Sequence, residues 1–296
     1  MPHGDQHRPA PLSRALLAAA CALSLLAACS RPAPAQAAPP PGAAGPRAAP
    51  DAADPRLGRA FAAIEAAGAD AALEPLFPPA EREALRGLIE AGRGRFLELL
   101  AAAEADRAAD PELLRRVDKS PGGALGETYE PGDLAGLDGV GLSVSRPGHR
   151  LRRPALEALV AMDAAARAEG IVLLVSSSYR SYAYQREVFA RNVAQDGLPR
   201  ARLLSAEPGR SQHQLGTAAD FGSIDDSFAE TRAGRWLAGN ARRFGFSASY
   251  PKGMEDLTGY LWESWHYRYV GAAAAALEAE FFGGTQARML AFLEKY

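Results

Sequence analysis

Apolar residues between about residues 56 and 112 recur at spacings of three and four, the period of an amphipathic helix. Leu57, Phe61 and Ile64 form one such series, and the same spacing resumes after the Phe77-Pro78-Pro79 break. Because proline interrupts a helix, the region is predicted to hold about two to four helices rather than one. Its glutamate and arginine residues are interpreted as solvated helix faces, and nothing in this region suggests chemistry.

A different pattern of short mixed segments begins near residue 113. A helix is predicted from Pro154 to Ala168, since proline favours a first turn and Gly170 ends the pattern. The uninterrupted apolar run at 171–175 has the length of a central, buried strand, and the alternation at 265–270 predicts another strand. Further helices are predicted at residues 181–194, 231–243 and 277–296, the last with a break at Gly283-Gly284.

Helices and short strands that follow one another in this order favour an α+β domain over a repeated βαβ array. The predicted architecture is a small antiparallel sheet with flanking helices at 113–296, preceded by a helical N-terminal appendage at 56–112. At 296 residues the chain is long enough to bury such a core.

Residues 1–28 are typical of a segment that directs export. Arg8 and Arg14 precede an apolar stretch that is rich in small residues and too short to span a bilayer. The stretch ends in Leu26-Ala27-Ala28-Cys29, which resembles the lipobox of bacterial lipoproteins and implies that Cys29 is acylated at the start of the mature chain. The alternative is a small apolar cysteine inside an ordinary signal peptide.

Residues 29–55 are almost wholly alanine, proline and glycine, without apolar periodicity. Such a segment cannot bury a core and is expected to act as a semi-extended tether. The two N-terminal segments therefore predict a membrane-anchored lipoprotein of the cell envelope, periplasmic or extracytoplasmic. Since Cys21 lies in the segment to be removed, Cys29 would be the one thiol left, which excludes internal disulfides, a cysteine-ligated metal and a cysteine nucleophile.

The charge of the chain argues against one class of partner. It has 33 lysines and arginines against 35 aspartates and glutamates. The basic residues are mostly arginine and are not gathered into a block. The sequence therefore gives no indication of nucleic-acid binding.

Candidate chemistry is concentrated around two of the three histidines that follow the export segment. Asp220 follows His213 by seven residues, and Glu263 precedes His266 by three. Two imidazoles and one carboxylate suit a catalytic zinc ion and leave its fourth position for water. The second carboxylate is then free to act as a base. A histidine beside polar residues is more often part of a hydrogen-bonding pair, which is our interpretation of His149.

Strand geometry indicates which of Glu263 and His266 is the metal ligand and which is the general base. Residues three apart in an extended strand face opposite ways, so Glu263 and His266 converge only if the chain bends between them. Such a bend would set Glu263 back from the metal by about one water molecule. This favours His266 as a ligand and Glu263 as the general base.

Three motifs occur in order along the chain: Ser-Tyr-Arg-Ser-Tyr-x-x-Gln at 178–185, Ser-x-His-x-x-Gly-x-Ala-x-Asp at 211–220 and Glu-x-x-His at 263–266. Together they resemble the VanY-type D-alanyl-D-alanine carboxypeptidase family of zinc peptidases, over a similarity that runs from about residue 113 to the C-terminus. The resemblance implies a compact α+β fold shared with D-Ala-D-Ala dipeptidases and hedgehog signalling domains.

The resemblance also implies roles for particular residues. His213, Asp220 and His266 would be the zinc ligands, and Glu263 the catalytic base. Arg180 fits on its own chemistry, because its planar fork binds a free carboxylate or a developing oxyanion by paired hydrogen bonds; the alternative is a structural salt bridge at a strand end. Two further residues match the motifs and are candidates for contact with substrate, namely Gln185 and Ser211.

The sequence thus predicts a zinc-dependent D-alanyl-D-alanine carboxypeptidase that removes the terminal D-alanine from peptidoglycan stem peptides. An L,D-carboxypeptidase or an endopeptidase would use the same motifs and differ in the shape of the pocket. A wall-binding or signalling module that keeps zinc without turnover is a further alternative, although such a module has no need of Glu263. A serine hydrolase, suggested by Ser176-Ser-Ser178, lacks a Gly-x-Ser-x-Gly elbow.

Overall fold

A computed structural model of the protein describes residues 54–296. The predicted export segment, the predicted lipidation site Cys29 and the predicted tether as far as residue 53 lie outside the described residues. Residues 54–296 belong to a single compact unit. Within this range no helix combines the length and the apolar character needed to cross a membrane.

Helices make up about half of the described part of the chain. In order, the α-helices of this part are α1 Pro55–Ala69, α2 Pro79–Ala91, α3 Arg93–Ala109, α4 Arg153–Ala168, α5 Tyr182–Asp196, α6 Leu198–Leu204, α7 Arg232–Asn240, α8 Glu255–Thr258, α9 Ala272–Phe281 and α10 Gln286–Lys295. Short 3₁₀ turns lie at Glu74–Leu76, Gln212–Leu215, Asp226–Glu230 and Ala241–Phe244.

The N-terminal helices α1–α3 and the C-terminal helices α9 and α10 bury one common core. The Phe96 ring of α3 lies 5.1 Å from that of Phe281 in α9 and 6.1 Å from that of Phe292 in α10. Aromatic rings at these separations pack edge to face in a dense interior. The predicted boundary at residue 113 therefore marks a change of secondary structure inside one packed unit.

Strands form two sheets. They are β1 Leu134–Gly136, β2 Ser143–Val144, β3 Arg150–Arg152, β4 Leu174–Ser177, β5 Ala218–Phe221, β6 Phe246–Ala248 and β7 His266–Tyr269. β1 and β3 form an antiparallel pair, and the other five strands form a sheet in the order β2-β4-β5-β7-β6. This larger sheet is antiparallel except at its edge, where β2 runs parallel to β4.

The fold agrees with the predicted α+β class and differs from the prediction in detail at β4. The strand predicted at 171–175 instead begins at Leu174 and runs to Ser177. The residues before it complete the end of α4, since the Ile171 amide donates to the Ala166 carbonyl after Gly170 at φ 69°. A left-handed glycine followed by such a bond is a common helix end, and it delays the strand. The C-terminal helix begins earlier than predicted, at Ala272, while the break at Gly283-Gly284 separates α9 from α10.

The larger sheet presents two different faces because side chains alternate along each strand. On one face Ala219 and Tyr267, which lie opposite each other, pack into an apolar core with α4 and α7. On the other face Asp220 lies opposite His266 and Ala218 lies opposite Arg268. The polar face of the two neighbouring strands β5 and β7 thus holds two of the predicted ligands.

Candidate metal centre and active site

Asp220 and His266 form a cross-strand pair on the polar face of the sheet. Their register brings Asp220 Oδ1 to 2.9 Å from His266 Nδ1. Directly opposite residues of antiparallel strands have their side chains side by side, so the sheet itself fixes this spacing. Both side chains are buried.

His213 reaches the same point from the 3₁₀ turn at Gln212–Leu215. The hydroxyl of Ser211 accepts a hydrogen bond from the His213 amide at 3.3 Å and begins the turn. Gly216 ends it at φ 71°, where a Cβ atom would lie 2.8 Å from Leu134 Cδ2. Only glycine combines this backbone conformation with this close approach, which explains the glycine of the motif.

The orientation of the His213 ring is set by a backbone carbonyl. His213 Nδ1 lies 2.7 Å from the carbonyl oxygen of Ser178, to which it donates, so Nε2 carries the free lone pair. This Nε2 atom is buried without a hydrogen-bond partner, although Asp220 Oδ2 lies 3.2 Å away. A metal-binding histidine is typically fixed in this way by a bond from its other nitrogen.

The three side chains fit a metal ion. One ligand atom each from His213, Asp220 and His266 lies within 4.8 Å of the others. The lone pairs of two buried imidazoles point towards a buried carboxylate. A cation bound between the three side chains would compensate this concentration of negative charge. Among residues 54–296 this is the group of histidine and acidic side chains with the spacing of a metal site.

The electrostatic environment of the site favours the protonation states in which histidine and aspartate bind a metal ion. Burial, reinforced by the Arg180 charge, lowers the pKa of His213 to about 4 and keeps the ring neutral at pH 7. Burial would raise the pKa of Asp220, but the two imidazoles that face it hold that pKa well below its ordinary value. A neutral imidazole and an ionised carboxylate are the forms that bind metal.

Glu263 lies beside this group and outside it. The chain turns at residues 264–265, which is the bend that the spacing requires, and brings Glu263 Oε2 to 3.7 Å from His266 Nδ1. Burial raises the pKa of Glu263 to about 7. A carboxylate with a pKa near neutrality accepts and returns a proton efficiently at physiological pH.

Arg180 is joined to the ligand Asp220 and is held in turn by Gln185. Its Nη2 donates to Asp220 Oδ2 at 3.1 Å and its Nη1 donates to Gln185 Oε1 at 3.0 Å. The Gln185 amide donates to the Ala206 carbonyl at 2.7 Å and to the Ser205 hydroxyl at 3.2 Å. Gln185 was predicted as a candidate for contact with substrate. Its amide oxygen and nitrogen are both engaged in these hydrogen bonds, so in the structure Gln185 positions Arg180.

A small cavity of about 50 Å³ opens at the site. Ser211, Tyr250 and Tyr260 form part of its wall, together with His213 and Glu263. The structure therefore brings together every site residue predicted beyond position 54, with Arg180, Gln185 and His266 also lining this cavity.

His149 forms hydrogen bonds outside the metal group, as expected. Its Nδ1 lies 3.0 Å from the Ser178 hydroxyl, and both residues are buried. The pair resembles a nucleophile and base, but burial denies substrate access. Because the Ser178 carbonyl accepts the His213 bond, the His149–Ser178 pair instead supports the ligand, a role that the sequence motif did not reveal.

Gln212 is a second supporting residue that the motifs did not identify. Its Oε1 lies 3.2 Å from His266 Nε2 and accepts from the Ser249 hydroxyl at 2.7 Å, while its amide donates to Gln286 Oε1 at 3.2 Å. The Gln212 amide nitrogen is turned to Gln286, so the Gln212 side-chain oxygen faces His266. This oxygen can only accept a hydrogen bond, which means that His266 Nε2 carries a proton and donates it. The lone pair of His266 Nδ1 is then directed towards Asp220.

We expect Gln212→Ala to weaken metal binding about 10- to 100-fold, the usual effect of losing a hydrogen bond that orients a ligand. Gln212→Glu keeps an acceptor for His266 Nε2 and should bind metal more tightly than the alanine variant. Gln214→Ala is the matched control, since Gln214 is buried on the same turn but donates to the Gly126 and Tyr129 carbonyls. Competition with a zinc chelator measures the metal affinity of the three variants and of the wild type. Equal affinities in wild type and Gln212→Ala would show that Gln212 does not support the ligand His266.

The fold and this site define a metallopeptidase of the hydrolase class, and comparisons with known proteins agree. Residues 148–272 match the family described as "VanY: D-alanyl-D-alanine carboxypeptidase". The structure of the LdcB LD-carboxypeptidase superposes with a TM-score of 0.56 at 36% identity, over 63% of this chain and 88% of that one. The chain belongs to the VanY-type D-alanyl-D-alanine carboxypeptidase family.

Curated relatives match over part of their length. The putative carboxypeptidase YodJ of Bacillus subtilis (strain 168) is 39% identical over 160 residues, covering 51% of this chain and 58% of that protein. A D-alanyl-D-alanine carboxypeptidase of Enterococcus faecalis (strain ATCC 700802 / V583) is 38% identical over 120 residues, covering 38% of this chain and 45% of that protein. The chain thus spans about half the length of these relatives.

Proposed function

We propose that the protein is a zinc-dependent carboxypeptidase that removes the terminal D-alanine from peptidoglycan stem peptides. The observation that carries the proposal is the small cavity beside the metal group, which Glu263 and Arg180 both line. The same two side chains also line the neighbouring cavity of about 340 Å³, which has Asp220 in its wall and the size of a small-ligand site.

The donor set supports zinc as the metal. Two histidine nitrogens and one carboxylate oxygen, from His213, His266 and Asp220, are a common ligand set of catalytic zinc. Bound zinc supplies Lewis-acid polarisation of a carbonyl group and lowers the pKa of water.

Side chains of the protein supply the remaining chemistry. The Glu263 carboxylate takes a proton from the attacking water and returns it to the nitrogen of the departing D-alanine. Arg180 is fixed by Asp220 and Gln185, so its guanidinium stabilises negative charge on the substrate with little loss of conformational entropy. The Ser211 hydroxyl, at the wall of the small cavity, is available to the free carboxylate of the terminal residue.

An L,D-carboxypeptidase is a second candidate on the same site, and one specific observation favours it. The superposable LdcB protein is described as an LD-carboxypeptidase, and 88% of that chain is covered here. The two activities differ in the residue before the scissile bond and share the leaving D-alanine, so one set of metal, base and arginine serves both.

Defined stem peptides test the proposal and separate the candidates. The zinc-loaded protein is incubated with tri-, tetra- and pentapeptide stems, and the released amino acid is identified by mass. A D,D-carboxypeptidase converts the pentapeptide to the tetrapeptide, whereas an L,D-carboxypeptidase converts the tetrapeptide to the tripeptide. Binding of stems without any release would instead favour a non-catalytic wall-binding module, and release of a dipeptide or longer fragment would point to an endopeptidase.

We propose in addition that a lipid on Cys29 anchors the protein in the cell envelope, on the strength of the Leu-Ala-Ala-Cys sequence and the alanine- and proline-rich segment after it. Each buried methylene of an acyl chain contributes about 0.8 kcal/mol, and stable attachment takes more than one chain. Cys29→Ala should therefore move the protein from the membrane to the soluble fraction and leave its turnover unchanged. A variant that still sediments with membranes would contradict the anchor.

A further inference from the structure

A cavity of about 290 Å³ lies where the helical layer of α1–α3 and α10 meets the loops around the metal group. We call it the junction cavity and define it by six of its lining residues: Leu76, Lys119, Gln212, Tyr250, Tyr260 and Leu290. The α1–α2 connection, the loop after α3 and α10 supply much of its wall. These three segments lie outside residues 148–272, so the match to the family does not account for the cavity.

Two tyrosines separate the junction cavity from the active site. Tyr250 and Tyr260 line both the junction cavity and the small cavity at the metal group. Their rings lie 4.7 Å apart, and the ring of Tyr250 lies 5.0 Å from that of His266. Lys119 holds the pair, because its Nζ lies 3.9 Å from the centre of the Tyr260 ring and donates to two backbone carbonyls. A ligand in the junction cavity would therefore contact a side chain that packs on a metal ligand.

The polar wall of the junction cavity leads to the same histidine. Gln212, Ser249 and Gln286 are buried and line the cavity. Gln212 Oε1 lies 3.2 Å from His266 Nε2 and accepts from the Ser249 hydroxyl at 2.7 Å. A hydrogen bond of this kind fixes the orientation of a ligand and tunes its affinity for metal. Occupancy of the junction cavity can therefore be felt at the metal group through two side chains, Gln212 and Tyr250.

The lining indicates which chemistry the junction cavity accepts. Its charges balance, because two basic and two acidic side chains line it, namely Arg116, Lys119, Asp118 and Asp256. Arg116 is held by Asp118 at 2.7 Å and by Glu294 at 2.6 Å. Tyr260 is buried, and its hydroxyl has no hydrogen-bond partner within residues 54–296. Apolar side chains complete the wall, among them Leu76 and Leu290. This lining suits an uncharged molecule with an apolar body and one hydrogen-bonding group.

We propose that the junction cavity binds such a small uncharged molecule, one that carries a hydroxyl or amide group, and that this ligand strengthens metal binding. Its polar group meets the Tyr260 hydroxyl, and its apolar body packs on Leu76 and Leu290. A filled cavity restricts Tyr250 and Gln212 in the arrangement that supports His266, so the ligand and the metal stabilise the same state. The coupling rests on the proposed function of the metal group, whereas the binding site does not.

Two fluorinated probes of similar size test the site in the zinc-loaded protein. Para-fluorophenol carries a hydroxyl group, which para-fluorotoluene replaces with a methyl group, and fluorine NMR measures the affinity of each. The phenol should bind about two- to tenfold more tightly, the factor of one neutral hydrogen bond. Tyr260→Phe should abolish this difference. Ala287→Leu, which fills the cavity from α10, should remove the binding of both probes, whereas Ala80→Leu, at an exposed position of α2 outside the lining, should not.

Competition with a zinc chelator, with and without saturating para-fluorophenol, tests the coupling. The probe should tighten zinc binding at least about fivefold, and by linkage zinc should tighten probe binding by the same factor. Absence of probe binding, or binding that persists in Ala287→Leu, overturns the site, and equal affinity of the two probes overturns the assigned ligand class. Zinc affinity that is unchanged or weakened by the probe overturns the coupling. A wild type that binds no zinc overturns the proposed function, and probe binding to the metal-free chain then decides the site by itself.

Discussion

Replacing Glu263 with glutamine should reduce the release of D-alanine by at least about 100-fold, and by as much as 10⁴-fold, with the metal content unchanged. The amide keeps the shape of the side chain but has no appreciable basicity, so water and the leaving nitrogen lose their proton carrier. Since Glu263 lies 3.7 Å from His266 Nδ1 and outside the group of three ligands, its replacement leaves the donor set intact. Turnover is followed by D-alanine release from a stem peptide at fixed zinc occupancy.

The pH profile offers an independent check on Glu263. The base acts in its deprotonated form, so wild-type turnover should rise with pH through a pKa at or below about 7, because a bound cation favours the carboxylate. Any residual turnover of Glu263→Gln should lack this rise. Glu157→Gln, an exposed glutamate of α4, is the matched control and should behave as wild type. Full turnover in Glu263→Gln would refute the assignment of the base.

Loss of any one ligand should abolish stable zinc binding. We expect about one zinc ion per chain in the wild type and almost none after dialysis in His213→Ala, Asp220→Ala or His266→Ala, because each removes one of three protein ligands. Turnover should fall to background in all three variants. Elemental analysis after dialysis measures the metal, and circular dichroism checks that each variant remains folded.

The control for the ligand variants has to be chosen from the structure. His149→Ala is unsuitable, because His149 holds Ser178, whose carbonyl orients His213. Asp196→Ala, at the exposed end of α5, removes a carboxylate far from these contacts and should retain its zinc. Full zinc occupancy in the three ligand variants would show that the site binds no metal as described.

Residues of the site could be predicted from sequence where a short segment fixes their geometry. His213 and Asp220 stand seven residues apart on a turn and the strand that follows it, and Glu263 and His266 are separated by a single bend. Their spacing along the chain therefore carries most of the information. Of the two predicted strands, the one at 265–270 is confirmed by β7, whereas the one at 171–175 begins later because the end of α4 has first to be completed.

Contacts that link distant parts of the chain could not be predicted. Gln212 receives its orientation from Gln286, 74 residues away, and nothing near either residue indicates the pairing. The packing of α1–α3 on α9 and α10 is of the same kind, since it requires two apolar faces to meet across most of the chain.

The shared core of α1–α3 with α9 and α10 has a consequence for how the protein responds to damage. Gln286 stands at the start of α10 and reaches the metal ligand His266 through Gln212, so a chain of hydrogen bonds joins the helical layer to the metal group. A protease that clips the N-terminal helices would expose the faces of Phe281 and Phe292 that pack on Phe96. Cleavage in the N-terminal helices is therefore expected to disturb the start of α10 and, through Gln286 and Gln212, the orientation of the metal ligand His266.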